Sequence, residues 1–156
     1  YKILPDENFR ISRNNVKVIV FYRKENERRT YIMTNEKETL IYKSSIIGEK
    51  EVTLNIQQYL KNKSLYIGLM CIDEDGNEEH FGDVTINLPE GAPNYCGYLN
   101  VNNLQEVKNF VEDNNLEEFT WFVGESGFCK YPLYLFNKDR LRELCPEGMA
   151  EYEANL

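Results

Sequence analysis

The segment Gly124-Glu125-Ser126-Gly127 places a serine beside small residues, as the nucleophile elbow of serine hydrolases does. That elbow needs a glycine two residues before and two residues after the serine, because its strained turn leaves no room for side chains. Here the residue two positions after Ser126 is Phe128, and the single histidine, His80, lies upstream of the serine. The elbow's triad places the histidine last along the chain. The segment therefore does not predict a serine hydrolase.

A cysteine–histidine pair is the other arrangement that could perform nucleophilic chemistry, with His80 activating the thiol of Cys129. Cys129 is the best placed cysteine, since it lies in a segment that is predicted to be a loop. No local pattern supports this pair, and no glycine-rich phosphate loop is present in the sequence. A small cytoplasmic enzyme that uses Cys129 or His80 remains an alternative, but the sequence assigns no catalytic residue and predicts no cofactor.

Two sets of residues resemble metal sites but have the wrong spacing. The histidine and the cysteines lack the closely spaced ligand pairs of zinc sites. Residues 73–79 (DEDGNEE) resemble a calcium loop, but Gly76 is at the fourth position of that frame instead of the sixth. The sequence thus predicts no metal site, and the acidic run is expected to be a solvated hairpin tip. Reduced thiols are expected at all four cysteines, which are Cys71, Cys96, Cys129 and Cys145.

Charge is distributed unevenly along the chain. Residues 1–50 carry 11 Lys and Arg against 7 Asp and Glu, and residues 51–156 carry 7 against 19, so the net charge of −8 divides into +4 and −12. The acidic part is not expected to bind nucleic acid directly, because such binding requires clustered Lys and Arg. Its carboxylates either form a solvated face or attract a basic partner by long-range steering. The second interpretation selects as binding residues Asp73, Asp75, Glu78, Glu79, Glu117 and Glu118.

Runs of β-branched and aromatic residues predict the strands that position these side chains. Such runs predict strands at 16–22, 31–34 and 40–43, with a charged turn over residues 23–29. Alternating apolar residues predict a half-buried strand over 51–56. The strongest pattern is a hairpin, in which a central strand over 64–72 is followed by an Asp-Gly turn and a return strand over 80–88. In the return strand, Val84 is expected to point inward and Thr85 outward.

Two helices are predicted in the second half of the chain. Leu104, Val107, Phe110 and Val111 form one apolar stripe. Asn103 is expected to cap this helix, with Glu106 completing a capping box, and Asn114-Asn115 to end it in a left-handed conformation. The second helix is predicted over 139–145, capped by Asn137 and ended by Pro146. Residues 146–156 are expected to form a frayed tail. Strands at 119–123 and 131–136 complete the prediction.

The block from Ser126 to Tyr134, SGFCKYPLY, is the most unusual segment of the sequence. Gly127 is expected to adopt a backbone conformation that other residues avoid, and Pro132 predicts either an edge strand or a bulge. Tyr131 and Tyr134 then either pack over the sheet as part of a structural corner or lie on the surface and anchor a protein partner. The sequence leaves both interpretations open.

This block, with VTINLPE (84–90) and QQYLKNKSLYIGL (57–69), resembles an uncharacterised family of small proteins with an SGF–YPLY signature. The members of that family are encoded by phages, plasmids and integrative elements of Firmicutes and related gut bacteria, and the resemblance covers about residues 50–140. It implies an origin in a mobile element and interaction with a host protein. It transfers no catalytic residues, because the family has no assigned activity.

The predicted fold class is α+β, a mainly antiparallel sheet built from hairpins with one or two helices packed on one face. A single domain over 1–156 is expected, with a mildly basic extension (1–50), an acidic family core (51–145) and the frayed tail. No apolar run approaches the roughly 20 residues of a spanning helix, so no membrane segment is expected. The reduced thiols favour a cytoplasmic protein, and the resemblance implies that the host is bacterial. The leading hypothesis is a non-enzymatic accessory protein that binds a host protein, in its most concrete form an inhibitor of a CRISPR or restriction nuclease. A structural or assembly protein of the element is a further alternative.

Overall fold

The computed structural model describes residues 10–13, 16–21, 30–34 and 37–156. The chain divides into two compact units, residues 1–38 and 39–156. The first unit contains a three-stranded antiparallel sheet of β1 (Arg10–Arg13), β2 (Val16–Phe21) and β3 (Thr30–Thr34), paired in that order. Two of these strands were predicted, whereas the charged turn predicted over 23–29 lies outside the described residues.

The second unit begins with a four-stranded antiparallel sheet, here called sheet A. Its strands are β4 (Leu40–Ser44), β5 (Gly48–Gln58), β6 (Leu65–Ile72) and β7 (Glu78–Asp83), in spatial order β4-β5-β6-β7. The predicted hairpin is therefore present, and its apolar first strand lies between two neighbours. The boundary predicted after residue 50 falls inside β5.

The predicted return strand is divided between two sheets at Val84. β7 ends one residue before Val84, and β8 (Thr85–Ile86) pairs with β9 (Cys96–Leu99) instead of with β6. The Val84 amide donates to the carbonyl of Ile67 over 2.8 Å. The outward orientation predicted for Thr85 is wrong, because its buried hydroxyl accepts a hydrogen bond from the Ile67 amide over 3.0 Å. Two sheets meet at this point, so the face that alternation assigns to solvent is covered.

Sheet B has the spatial order β10-β11-β9-β8, with β10 (Glu117–Ser126) and β11 (Cys129–Phe136) forming an antiparallel hairpin. The edge position that Pro132 suggested is wrong, since β11 pairs with a strand on each side. The alternative of a bulge agrees with the structure: the pairs Phe119–Tyr134 and Val123–Pro132 leave three residues of β10 opposite one residue of β11. The hydroxyl of Thr120 donates to the Leu133 carbonyl inside this irregularity.

The described helices are α1 (Val107–Asp113), α2 (Lys138–Leu144) and α3 (Pro146–Ala154). The cap predicted for α1 is wrong, because the side-chain amide of Asn103 donates to Oδ1 of Asn100 instead of capping the helix. The N-cap residue is Glu106, which has a left-handed conformation with φ of 60°. The predicted stop is confirmed by a φ of 55° at Asn115. The predicted cap of α2 is also confirmed, since the Asn137 side chain accepts from the Arg140 amide over 3.1 Å.

Residues 146–154 are helical, which contradicts the prediction of a frayed tail. Met149 and Tyr152 of α3 are buried in the main core, and α3 packs on β5. Glu153 of the same helix accepts from Nε of Arg142 over 3.0 Å and from the Tyr95 hydroxyl over 3.0 Å. Pro146 starts α3, because the first turn of a helix does not need the amide hydrogen that proline lacks.

The fold is α+β, with antiparallel sheets and helices, as predicted. The main core lies between sheet A, one face of sheet B and the three helices. A second, smaller cluster covers the other face of sheet B and consists of Leu88, Cys96, Tyr98, Tyr131 and Leu133. Among the described residues, no helix is long and apolar enough to cross a membrane.

Candidate binding surface

The turn between β6 and β7 is held by Asp73. Its Oδ1 atom accepts hydrogen bonds from the amide of Asp75 over 2.9 Å and from the amide of Asn77 over 2.7 Å. These bonds, chiefly the one from Asn77, lower the pKa of the Asp73 carboxyl. Gly76 takes the left-handed conformation, with φ of +86°, that the tight reversal requires. Asp73 is therefore a structural residue of the turn that also contributes a charge.

The segment Asp73–Asp83, here called the acidic hairpin arm, has six carboxylates and neither Lys nor Arg. Glu78 and His80 lie opposite Ile72 and Met70 and share the outer face of sheet A with them. Glu79 points to the other face, where its carboxylate accepts from the Cys71 thiol over 3.5 Å. The side chains at 74, 75, 78 and 79 are exposed. Four of the predicted binding residues, Asp73, Asp75, Glu78 and Glu79, are thus brought together.

The outer face of sheet A is made of the alternate residues that point away from the main core. The helices pack on the opposite face, where Leu54 and Ile67 join them in the core cluster. Four carboxylates and one lysine lie on the outer face: Glu49, Glu51, Glu78, Asp83 and Lys43. Apolar side chains lie among them, namely Ile41, Met70 and Ile72, all of which are exposed or half-buried. The surface therefore combines apolar area with excess negative charge.

Asp83 connects the acidic hairpin arm to this outer face. Its Oδ1 atom accepts from the Tyr66 hydroxyl over 2.8 Å and lies 2.9 Å from Nε2 of His80. Burial and the hydrogen bond to Asp83 raise the pKa of Tyr66. Tyr66 in turn meets the ring of Tyr59 edge-on, with a centroid distance of 5.4 Å. These contacts fix the end of β7 against β6.

The remaining predicted carboxylates are not on this surface. Glu117 and Glu118 begin β10, at the edge of sheet B. Burial, followed by the neighbouring charges of Glu112 and Glu118, raises the pKa of the Glu117 carboxyl. The two glutamates therefore form a separate acidic site on a different sheet.

The tyrosines of the SGFCKYPLY block are buried. Tyr131 is 6% exposed and packs in the small cluster of sheet B, and Tyr134 is 0% exposed and lies in the main core. The alternative in which Tyr131 and Tyr134 lie on the surface and anchor a protein partner is therefore wrong. Tyr131 and Tyr134 are both buried because each face of sheet B has its own apolar cluster.

His80 and Cys129 lie on different sheets, on β7 and β11. Cys129 is half-buried near the β10–β11 turn, and the other three cysteines are buried. Burial raises the pKa of the thiols of Cys71 and Cys96. Among the described residues, no disulfide forms and no group of three or more His, Cys, Asp or Glu side chains is positioned to hold a metal ion.

Sequence reasoning missed two features of the surface. Gly68 lacks the side chain that would collide with the Tyr66 ring, so it permits the contact between Tyr66 and Asp83. Phe122 and Phe128 are exposed on the β10–β11 hairpin. The sequence signal for the exposed Phe128 was its position directly after the turn glycine, Gly127. A two-residue turn does not require an aromatic residue at that position.

These features define a small α+β domain with an acidic, partly apolar open sheet face. The family model of the Domain of unknown function (DUF4313) matches residues 53–156, and the chain belongs to this family. Neither the curated proteins nor the solved structures include a match to the chain. The match covers sheet B, the three helices and most of sheet A, so the acidic hairpin arm lies within the family domain.

Proposed function

We propose that this DUF4313 protein is a non-enzymatic binding protein whose acidic hairpin arm and outer sheet face contact a basic partner protein. The observation that supports the proposal is the composition of the arm, where six carboxylates occur without a lysine or arginine. The arm ends in an edge strand among the described strands, so its charges face solvent on the β7 side of sheet A.

Electrostatics explains what such a surface would do. Clustered carboxylates raise the association rate of a positively charged partner and exclude partners of the same sign. On β7, Glu78 and Asp83 lie on the outer face of sheet A and Glu79 lies on the other face, so the strand carries negative charge on both sides. The half-buried Met70 and the exposed Ile72, which lie beside these carboxylates, would supply the desolvated centre that stable interfaces need.

The concrete version of this function is an accessory protein of a phage or other mobile element that binds a host protein. A CRISPR or restriction nuclease fits the partner chemistry, because such enzymes carry basic channels for nucleic acid, into which the clustered carboxylates of the arm would fit as a polyanion mimic. The resemblance of the SGF–YPLY block to mobile-element proteins supports this origin.

The test compares two variants of equal net charge. In the first, Glu74→Gln, Asp75→Asn, Glu78→Gln and Glu79→Gln neutralise the arm but keep Asp73, which holds the turn. In the matched control, Glu90→Gln, Asp113→Asn, Glu147→Gln and Glu151→Gln remove four exposed carboxylates elsewhere. Each protein is immobilised and exposed to host lysate at about 50 mM and about 500 mM salt.

We expect the wild type and the control to retain a basic protein at low salt and to release it at high salt. The arm variant should not retain this protein. The captured protein is then purified, and its nuclease activity is measured with and without the chain. Retention that is identical for both variants, or recovery of no partner at low salt, would exclude the acidic hairpin arm as the binding surface.

A further inference from the structure

The β10–β11 hairpin carries three exposed apolar side chains that the fold does not use. Phe122, Val123 and Phe128 are 73%, 54% and 107% exposed. The SGFCKYPLY block contributes Phe128, while its two tyrosines are buried. Exposed aromatic residues at this density are typical of interaction sites.

The local structure does not require Phe128. β10 and β11 are joined by a two-residue loop of Gly127 and Phe128, and only Gly127 has a positive φ, of 61°. Such a loop needs glycine at its first position and accepts polar residues at its second. The Phe128 ring makes no contribution to either apolar cluster, so a polar residue would serve the turn equally well.

The centre of strand β10 lacks two of the devices that protect exposed sheet edges, namely charged residues and proline. Among the described strands, its only neighbour is β11. Residues 119–124 (FTWFVG) include no charge and no proline. After the irregularity at 120–122, regular pairing with β11 resumes over residues 123–126, and among the described strands none pairs with the outer edge of this stretch. Strands with these properties bind extended chains through main-chain hydrogen bonds.

The charges on β10 select the occupant. Glu117 and Glu118 lie at one end of the uncharged centre and Glu125 at the other, and β10 has no basic residue. Lys130 of β11 lies 3.6 Å from Glu125, but both side chains are largely exposed, so this ion pair holds Glu125 only weakly. A second copy of β10 that pairs antiparallel in the register centred on residue 121 would place Glu117 opposite Glu125, which destabilises a strand pair. A segment with basic residues at both ends and apolar residues in the middle is complementary to β10.

We infer that β10 binds an extended segment of the partner protein that has an apolar centre flanked by Lys or Arg, with Phe122 and Phe128 as the apolar anchors. The inference rests on the proposed function, because it names the contact that the basic partner makes in addition to the acidic hairpin arm. Main-chain pairing with residues 123–126 supplies orientation, and the two rings supply specificity.

The experiment uses a peptide, Lys-Lys-Val-Thr-Val-Thr-Val-Lys-Lys, as the partner segment. Trp121, which is the single tryptophan of the chain, is a residue of β10, and its fluorescence is the readout of peptide binding. The double variant Phe122→Thr/Phe128→Ser removes both anchors. Because both rings are exposed, these changes leave the core intact. The matched control is Ile46→Thr/Ile47→Thr at the β4–β5 turn, where both side chains are also exposed.

The peptide should change the fluorescence of the wild type and of the Ile46/Ile47 control with similar affinity, and the Phe122/Phe128 variant should bind at least about tenfold more weakly. A peptide with Glu in place of Lys, and one with Gly-Ser repeats in place of Val-Thr, should bind no better than that variant. Equal binding by both double variants, equal binding of the Glu peptide, or no fluorescence change up to about 1 mM peptide would overturn the inference.

Two further outcomes separate this inference from others. Concentration-dependent dimerisation that the Phe122/Phe128 variant abolishes would identify a second copy as the occupant and overturn the inference. Loss of the host partner in the arm variant, combined with unchanged peptide and partner binding in the Phe122/Phe128 variant, would preserve the proposed function and reject the β10 site alone.

Discussion

The hydroxyl of Tyr66 donates a hydrogen bond to Oδ1 of Asp83 over 2.8 Å, and the ring passes directly over Gly68, the residue that Asp83 faces across the β6–β7 ladder. The contact ties the end of the acidic hairpin arm to the centre of sheet A. It is possible only because position 68 has no side chain, since a Cβ there would lie 2.8 Å from Cζ of Tyr66.

Gly68→Ala should therefore destabilise the protein by about 1 kcal/mol, because the displaced Tyr66 loses its hydrogen bond to Asp83. In a Tyr66→Ala background the same change should be neutral or stabilising, since alanine restricts the unfolded chain and no ring remains to be displaced. Urea unfolding of the four proteins in this double-mutant cycle measures both effects. Equal destabilisation by Gly68→Ala in both backgrounds would contradict the proposed clash.

Thr85→Val should leave the Ile67 amide without its hydrogen-bond acceptor and so increase the rate of its hydrogen exchange. The Thr85 hydroxyl is buried and accepts from that amide over 3.0 Å, and valine has the same shape but no acceptor. An unsatisfied buried donor costs about 1–3 kcal/mol. Hydrogen exchange at Ile67 should accelerate in Thr85→Val and stay near the wild-type rate in Thr85→Ser, which keeps the hydroxyl. Equal exchange in the two variants would show that the hydroxyl is not what protects the Ile67 amide.

Met149→Ala should reduce the free energy of unfolding by about 2–5 kcal/mol, because Met149 is fully buried and its truncation leaves a cavity. The control on the same helix is Glu151→Ala, where the side chain is exposed and the change should be within about 0.5 kcal/mol. Chemical denaturation measures both. If the two variants were equally stable, α3 would not be part of the folded core.

Stability should fall steeply in alkaline solution. Burial raises the pKa of Tyr42 and that of Tyr134 from 10.0 to about 12, with further contributions from nearby glutamates. A phenol whose pKa is higher in the folded state contributes stability that is complete below pH 10.0 and is lost as the pH rises through about 12. Phenolate absorbance should therefore increase in two phases, with the second phase coincident with loss of circular dichroism. A single phase centred near pH 10.0, with the fold intact, would contradict this burial.

Local patterns were sufficient for the elements whose cause is local. Alternation identified β5, the Asp-Gly turn identified the β6–β7 hairpin, and Asn137 and Gly127 marked a helix start and a left-handed turn correctly. Each of these depends on contacts within a few residues, which a sequence displays directly. The charge difference between the two parts of the chain is equally independent of folding.

The errors about burial share one physical cause, which is that burial by a second layer has no local sequence pattern. Thr85 was assigned to solvent because alternation assumes one covered face, but the chain changes sheets at Val84. Tyr131 and Tyr134 were possible surface anchors until sheet B was seen to have an apolar cluster on each face. The sequence by itself determined the α+β class, the acidity and the turns. Only the tertiary structure decided which carboxylates share a surface and which aromatics, Phe122 and Phe128, remain exposed, because long-range packing sets both.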